Sequence, residues 1–188
     1  GEVAGFAERH GWPLYLKRPN GGYDGRGVWR APDRTTADAA LDAAGSGLLV
    51  EPVIRFDHEL SVIVARSGRG ETVAYPPVET VQRDGRCHEV FTPATVGDQQ
   101  LRDARSLAVT IANAIDLVGT MAVVLFATTG GLLLHGLAVR THNSGHLTIE
   151  ACATSQFENH LRAILDLPLG ATHLTVPAAA MVNLVGGP

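Results

Sequence analysis

The order of apolar and polar positions along the chain predicts short helices alternating with short strands. Apolar residues at helical spacing predict four helices, at residues 1–11, 35–44, 101–115 and 155–165, of which 101–115 has the clearest pattern. Apolar or alternating runs predict strands at residues 13–17, 28–30, 48–53, 60–66, 72–75, 119–127, 132–139 and 177–185, and a hairpin over 79–90. Antiparallel strands interleaved with helices are typical of an α+β fold rather than a doubly wound parallel sheet.

Composition narrows the class of protein. The chain has 188 residues, 45% of them hydrophobic and 18% charged, which is enough for one domain or two small lobes and excludes a disordered tail. A net charge of -4 argues against a nucleic-acid-binding protein. No apolar run reaches the roughly 18 residues of a membrane span. Cys87 and Cys152 form no disulfide framework, so we expect the reducing cytoplasm.

A single lysine precedes a glycine-rich segment. Of the 15 basic residues, 14 are arginine and only Lys17 is lysine, which indicates a position where a compact point charge is needed. Residues 21–27 then supply four glycines, whose backbone N–H groups can surround anionic oxygens. The segment is neither a P-loop nor a dinucleotide fingerprint, because a strand follows it instead of a helix. It is either a phosphate-covering loop between two antiparallel strands or a hairpin tip without a ligand.

Two further segments carry candidate chemistry. Backbone groups at the end of the apolar strand 48–53 could bind an adenine edge, and Glu59 could accept ribose hydroxyls, although ordinary strand sequence looks the same. Residues 140–146 place a guanidinium, two imidazoles, an amide and a hydroxyl within seven positions. Such a set suits a small oxyanion such as bicarbonate or phosphate. The alternative is a polar loop with a helix cap.

Five motifs together resemble one family. They are LKRPNGGYDGRGVW, LLVEPVIRFDHELSVIVAR, VAYPPVETVQRDGRCHEVFTPA, RTHNSGH and TSQFENHLRAILDLPLG, in this order. In these motifs the chain is similar to the carboxyaminoimidazole ribonucleotide synthetases of the ATP-grasp superfamily. The resemblance implies two α+β lobes whose antiparallel sheets enclose a nucleotide cleft, with residues 1–53 as the small lobe and 54–188 as the large one. It also implies an N-terminal and a C-terminal domain that this sequence lacks, and both of its ends are expected to be cut.

The resemblance implies a role for each matching residue. Lys17 matches the lysine that contacts ATP phosphates, and Glu59 matches the ribose-binding glutamate. The remaining matches are the phosphate-covering loop with Gly22, Tyr23, Asp24, Gly25 and Gly27, the adenine-holding Glu51 and Ile54, and the bicarbonate- and carboxyphosphate-holding Arg140, His142 and Asn143. The implied activity is ATP-dependent carboxylation of aminoimidazole ribonucleotide in purine biosynthesis. The implied ligands are ATP, bicarbonate and aminoimidazole ribonucleotide, with a homodimer as the expected assembly and no nucleic acid or membrane partner.

The chain departs from the family at its metal site. Val124 and Gly136 stand where the family has its two magnesium-binding glutamates, and no acidic residue lies between Asp116 and Glu150. Magnesium requires oxygen ligands, so we predict no metal ligands although the family implies Mg²⁺. Three alternatives stay open. The chain could be a non-catalytic nucleotide-binding or scaffolding relative, or a specialised-metabolism ligase with another substrate. A zinc site could also be formed by His135, His142, His146 and Cys152.

Overall fold

Two compact units make up the chain. The computed structural model describes residues 2–20, 26–45, 47–184 and 186. Its internal contacts separate Gly1–Arg55 together with Asp84–Arg86 from Phe56–Arg83 together with Cys87–Pro188.

The first unit is a three-stranded sheet packed with helices. In chain order its elements are helix α1 (Glu2–His10), strands β1 (Leu14–Lys17) and β2 (Val28–Ala31), helix α2 (Arg34–Ala44) and strand β3 (Leu49–Pro52). The sheet order is β2-β1-β3. Asp33 caps α2 by accepting a hydrogen bond from the backbone N–H of Thr36 at 2.8 Å, and Gly45 ends the helix in the left-handed conformation. Leu16, Ala31, Ala37 and Ala40 form the core.

The second unit is a seven-stranded sheet. Its strands are β4 (His58–Arg66), β5 (Thr72–Ala74), β6 (Val78–Arg83), β7 (Arg86–Thr92), β8 (Gly119–Thr128), β9 (Gly131–Ala138) and β10 (Ala179–Val182). They lie in the order β10-β7-β6-β4-β8-β9, and β5 pairs separately with β4. Strand β4 is therefore central. The strand pairs β1–β2 and β1–β3 of the first unit, and β10–β7, β4–β5, β4–β6, β4–β8 and β8–β9 of the second, are antiparallel, in agreement with the α+β prediction. Strand β9 is at the border of the described sheet, with exposed Leu133, Leu134 and Leu137.

Helices cover the two faces of this sheet. Helix α3 (Asp98–Ala114) places Ala104, Ala108 and Ala112 on one face, and these small side chains let the helix approach β4 and β8 closely. A 3-10 helix (Asn143–Gly145) and the helices α4 (Thr148–Ala151) and α5 (Gln156–Ile164) follow β9. Both α5 and the 3-10 helix contact the sheet. No helix in the described ranges is long and apolar enough to cross a membrane.

The predicted elements are found with small shifts at their ends. The turns at 67–70, 83–85 and 128–131 each join neighbouring antiparallel strands, as predicted. The last predicted strand, 177–185, is shorter and spans Ala179–Val182. For residues 140–146 the sequence leaves open an oxyanion-binding set or a polar loop with a helix cap, and the structure shows such a cap, because the His142 side chain accepts from the backbone N–H of Ser144 at the start of the 3-10 helix Asn143–Gly145. The following helix α4 was missed.

Candidate functional site

In the first unit, Lys17 lies at the end of β1 and is paired with Glu51. Lys17 is opposite Leu49 in the β1–β3 register and Tyr15 is opposite Glu51, so Lys17 and Glu51 are diagonal neighbours on one face. The Lys17 Nζ to Glu51 Oε2 distance is 2.5 Å, and the lysine side chain is only 17% exposed. The two residues that the sequence assigned to phosphate and adenine therefore touch one another. Glu51 forms an ion pair with the ammonium group and positions it.

The glycine-rich segment is closed at its base by a backbone hydrogen bond. The N–H of Arg18 donates to the carbonyl oxygen of Gly27 at 2.8 Å. Gly27 has a φ of 75°, and a Cβ there would lie 3.1 Å from Cδ of Arg18, so glycine is required. Ile54 follows β3 and is half-buried. The other predicted residues of the loop, Gly22, Tyr23, Asp24 and Gly25, lie outside the described residues.

In the second unit, one face of the sheet brings together several of the predicted positions. Cross-strand partners share a face, and in the register Ser61 of β4 is opposite Val124 of β8, which is opposite Gly136 of β9. Glu59 lies two positions from Ser61 and therefore on the same face. The predicted ribose-binding carboxylate and the two metal positions are thus neighbours on adjacent strands.

Glu59 is held by its neighbours on β6. It is 7% exposed and lies opposite Thr80 on one side and Phe126 on the other. Its Oε1 accepts hydrogen bonds from Thr80 Oγ1 at 2.6 Å and from Gln82 Nε2 at 2.7 Å. Bonds to an ionised acceptor are short and strong, so this carboxylate is fixed in one orientation.

The His142 imidazole is connected to the central strand through two serines. Ser61 Oγ lies 2.7 Å from Ser144 Oγ, which lies 2.8 Å from His142 Nδ1. The backbone N–H of Ser144 also donates to Nδ1, at 3.3 Å. Because Nδ1 is an acceptor, the neutral ring carries its proton on Nε2. In that tautomer Nε2 carries the donor hydrogen of the ring.

The buried Gln156 at the start of α5 fixes the backbone of His142. The N–H of His142 donates to Gln156 Oε1 at 3.0 Å, and Gln156 Nε2 donates to the His142 carbonyl oxygen at 2.7 Å. Gly145 allows this contact, because a Cβ there would lie 2.5 Å from Oε1 of Gln156. Thr148 completes the arrangement by accepting from the backbone N–H of Gln156 at 2.9 Å.

The two other residues predicted to hold bicarbonate flank His142. Asn143 Oδ1 is buried and accepts no hydrogen bond within the described part of the chain. Arg140 is exposed, and its Nη1 donates to the carbonyl oxygen of Thr141 at 2.9 Å. Sequence reasoning missed Ser61, Ser144 and Gln156 as the groups that hold this segment. The only signal for them was their place inside the quoted family motifs.

The residues at the family's metal position do not fit magnesium. Val124 has a hydrocarbon side chain and its partner Gly136 has none, so neither supplies an oxygen ligand. The register slips by one residue beside them, which leaves His135 as the extra residue of a β-bulge on β9. The His135 ring stacks on Phe126 at 4.2 Å between centroids, and Phe126 stacks on Phe56 at 4.1 Å. Aromatic rings therefore lie beside the position where the family has carboxylates.

The alternative of a zinc site is wrong. Among the residues that the structure describes, no three histidine, cysteine, aspartate or glutamate side chains are placed to hold a metal ion. Cys152 is buried in an apolar cluster with Ile63, Tyr75 and Ala122, and this burial raises the pKa of its thiol. The imidazole of His146 packs instead beside the Phe157 ring.

A second carboxylate, Glu79, is held on the opposite face of the same strands. Leu60, which is opposite Glu79, belongs to the core under α3. Glu79 Oε2 accepts from the N–H and hydroxyl of Thr95 at 2.8 and 2.6 Å, and Oε1 is 2.8 Å from His58 Nδ1. Burial by itself raises the pKa of Glu79, but these hydrogen bonds outweigh it and the pKa lies below its ordinary value. Glu79 is thus a structural anion.

Known proteins are similar to this chain in sequence and in fold. Residues 2–157 match the family described as the ATP-grasp domain. The chain is 47% identical over 190 residues to an N5-carboxyaminoimidazole ribonucleotide synthase of Mycobacterium bovis, covering 98% of this chain and 44% of that protein. It is similar to two crystal structures of the Aspergillus clavatus synthase, each with a TM-score of 0.88. The one complexed with ATP is 40% identical, and the one with ADP and 5-aminoimidazole ribonucleotide is 38% identical.

Coverage is nearly complete for this chain and partial for its relatives. Both Aspergillus structures match 99% of this chain, which in turn matches 50% and 49% of their chains. The chain thus spans about half the length of the relatives that it matches, and within that half the agreement extends from α1 to β10. The chain therefore belongs to the ATP-grasp family, and within it to the group of N5-carboxyaminoimidazole ribonucleotide synthases.

Proposed function

We propose that this chain is the nucleotide- and bicarbonate-binding region of a protein that carboxylates aminoimidazole ribonucleotide at the expense of ATP. The observation that carries the proposal is one face of the second unit, where Glu59 lies two positions from Ser61 on β4 and Ser61 starts the chain of hydrogen bonds through Ser144 to His142. A ribose-binding carboxylate on β4, and an anion-binding imidazole that two serine hydroxyls connect to the same strand, are what a ligase needs to hold a nucleotide beside bicarbonate.

Each residue has a proposed role in binding. Lys17 binds the phosphates of ATP, Glu51 and Ile54 hold adenine, and Glu59 accepts the ribose hydroxyls. The loop residues Gly22, Tyr23, Asp24, Gly25 and Gly27 cover the phosphates. His142, Arg140 and Asn143 hold bicarbonate and the carboxyphosphate made from it. These roles rest on matching family positions and on the contacts of Lys17, Glu59 and His142 described above.

The proposed chemistry is an acyl-phosphate route. A bicarbonate oxygen attacks the γ-phosphorus of ATP, the bond to the β-γ bridging oxygen breaks, and ADP leaves with carboxyphosphate as the other product. The amine of aminoimidazole ribonucleotide then attacks the carboxyl carbon, phosphate leaves and the amine loses a proton. The residues of this chain contribute positioning and positive charge, which carry most of the rate in such transfers. No step is assigned to a metal ion, because Val124 and Gly136 offer no ligand.

A second candidate function is nucleotide binding without turnover. The cross-strand pair of Val124 and Gly136 favours it, because a phosphoryl transfer without metal ligands leaves the charge of the β- and γ-phosphates poorly neutralised. We propose the cytoplasm as the compartment and a homodimer as the assembly for either function.

Two measurements separate these candidates. The ligase function is supported if the longest available form of the protein releases ADP from ATP and this release requires both bicarbonate and aminoimidazole ribonucleotide. Calorimetric binding of ATP without any release supports the second function, and absence of ATP binding refutes both. The Val124→Glu, Gly136→Glu double variant should make ATP affinity depend on Mg²⁺, whereas the wild-type affinity should be the same with Mg²⁺ and with a chelator.

A further inference from the structure

The carboxylate of Glu59 is bonded asymmetrically. Both of its side-chain hydrogen bonds within the described ranges fall on one oxygen, Oε1, from Thr80 Oγ1 at 2.6 Å and from Gln82 Nε2 at 2.7 Å. Oε2 receives no donor from the described residues. A carboxylate accepts about four hydrogen bonds, so half of its capacity is satisfied by the protein and the other half is available to a ligand.

The two donors come from one strand and act on the same side of Glu59. Thr80 is directly opposite Glu59 in the β4–β6 register, and Gln82 lies two positions further along on the same face. Thr80 is buried, whereas Gln82 is near the exposed end of β6. Because two donors converge on Oε1 from β6, rotation of the carboxyl group is blocked and Oε2 is directed away from them.

On the β8 side of Glu59, the neighbouring side chain offers the carboxylate no alternative hydrogen bond. Its other cross-strand neighbour, Phe126, is stacked between the rings of Phe56 and His135 and offers no hydrogen-bond donor to a carboxylate. Oε2 is not among the buried side-chain atoms without a partner in the described residues, so it reaches the surface, where a ligand hydroxyl can donate to it. A ligand that brings hydroxyl donors gains hydrogen bonds there, whereas one without them displaces water from the carboxylate and gains none.

We propose that Thr80 and Gln82 are positioning residues which hold Glu59 so that Oε2 receives the hydroxyl groups of a ribose. This inference rests on the proposed function, in which Glu59 binds the nucleotide sugar. The two residues do not touch the nucleotide. They determine how strongly the site prefers a ribonucleotide to its dideoxy analogue, because only a fixed Oε2 distinguishes a sugar that donates hydrogen bonds from one that does not.

The test is the ratio of two affinities. Calorimetry with ADP and with 2′,3′-dideoxy-ADP gives the preference of each variant for the ribose hydroxyls, and contacts to base and phosphates cancel in the ratio. A hydrogen bond to a charged acceptor predicts a wild-type preference for ADP on the order of 10- to 100-fold. Thr80→Val and Gln82→Ala should each reduce that preference about threefold to tenfold, with little change in the affinity for the dideoxy nucleotide.

Control variants distinguish positioning from a general loss of structure. Thr80→Ser keeps the donor hydroxyl and should retain the wild-type preference. Gln99→Ala removes an exposed glutamine of α3 that bonds to Asp103 and Arg102 on the same helix, and it should change neither affinity. If Thr80→Val fails to fold by circular dichroism, Gln82→Ala carries the same test, because its side chain is near the exposed end of its strand.

Different results refute different claims. If the wild type binds ADP with a clear preference and both variants keep it unchanged, Thr80 and Gln82 are merely structural and the positioning role is wrong while the proposed function stands. If the wild type binds ADP and dideoxy-ADP equally, Glu59 does not bind the ribose, and the inference falls with that assignment. If it binds neither nucleotide, the proposed function itself is refuted.

Discussion

Replacing Gly145 by alanine should disrupt the segment that presents His142. The added Cβ would lie 2.5 Å from Oε1, 2.6 Å from Cδ and 2.9 Å from Nε2 of Gln156. All three distances are shorter than the van der Waals contact of a Cβ atom with a neighbouring side chain. Gln156 is completely buried and bonded to both backbone polar groups of His142, so its amide cannot move aside without breaking those two bonds. Gly145 has no positive φ, so the cost comes from the contact alone.

The size of the effect follows from those two bonds. A buried donor or acceptor that loses its partner costs about 1–3 kcal/mol, and here both the N–H and the carbonyl group of His142 lose their bonds to Gln156. Partial relaxation of the neighbouring helix lowers the sum, so we expect Gly145→Ala to reduce the free energy of unfolding by about 3 kcal/mol. This is a large part of the roughly 5–15 kcal/mol that stabilises a typical domain.

Urea unfolding followed by circular dichroism measures this cost. Gly136→Ala is the matched control, because a Cβ at Gly136 meets no atom within 4 Å, and its effect should stay within about 0.5 kcal/mol. In a Gln156→Ala background the clash is gone, so adding Gly145→Ala should cost almost nothing. The reasoning is refuted if Gly145→Ala is as stable as Gly136→Ala, or if its cost is the same with and without Gln156.

Three other predictions concern single side chains. Glu79 has a lowered pKa in the folded state, so its stabilising effect is complete above the ordinary value of 4.5 and is lost as the pH falls through the folded-state pKa. Glu79→Gln should therefore flatten the acid limb of a stability–pH profile, and an unchanged limb would contradict this. Cys152, with its raised pKa and buried sulfur, should react with iodoacetamide only after unfolding; mass spectrometry showing rapid labelling of the native protein would argue against its burial. Lys17→Met should weaken ADP binding about tenfold or more in calorimetry, and equal affinities would remove Lys17 from the phosphate site.

Much of the fold could be predicted because local patterns and tertiary packing agree. Helix α3 has its alanines at positions 104, 108 and 112, one turn apart, and this period alone identifies the buried side. The hairpin at residues 83–85 was recognisable from its Arg-Asp-Gly turn, and Asp84 and Gly85 both have positive φ in the structure. At such positions the turn requires a positive φ, and Asp and Gly are residue types that tolerate it, so the residue type predicts the backbone conformation.

The candidate site was predictable as a set of residues but not as an arrangement. His142 and Glu59 were recognised by type and motif, yet nothing local indicates that Ser61, 83 residues earlier in the chain, bonds to Ser144. Strand register sets that contact, and register depends on the whole sheet. The short helices after His142 were missed for the same reason, since a long-range contact from Gln156 supports them and local propensity does not.

Strand β9 has a consequence for handling the protein. From Gly131 to Ala138 it contains no lysine, acid or proline, and Leu134 on it is 51% exposed, so its outer row of amide and carbonyl groups can template pairing with another molecule. The bulge at His135 interrupts that row only once. Concentrated solutions should consequently precipitate through edge-to-edge association, and Leu134→Lys should raise the solubility limit while leaving the thermal midpoint unchanged.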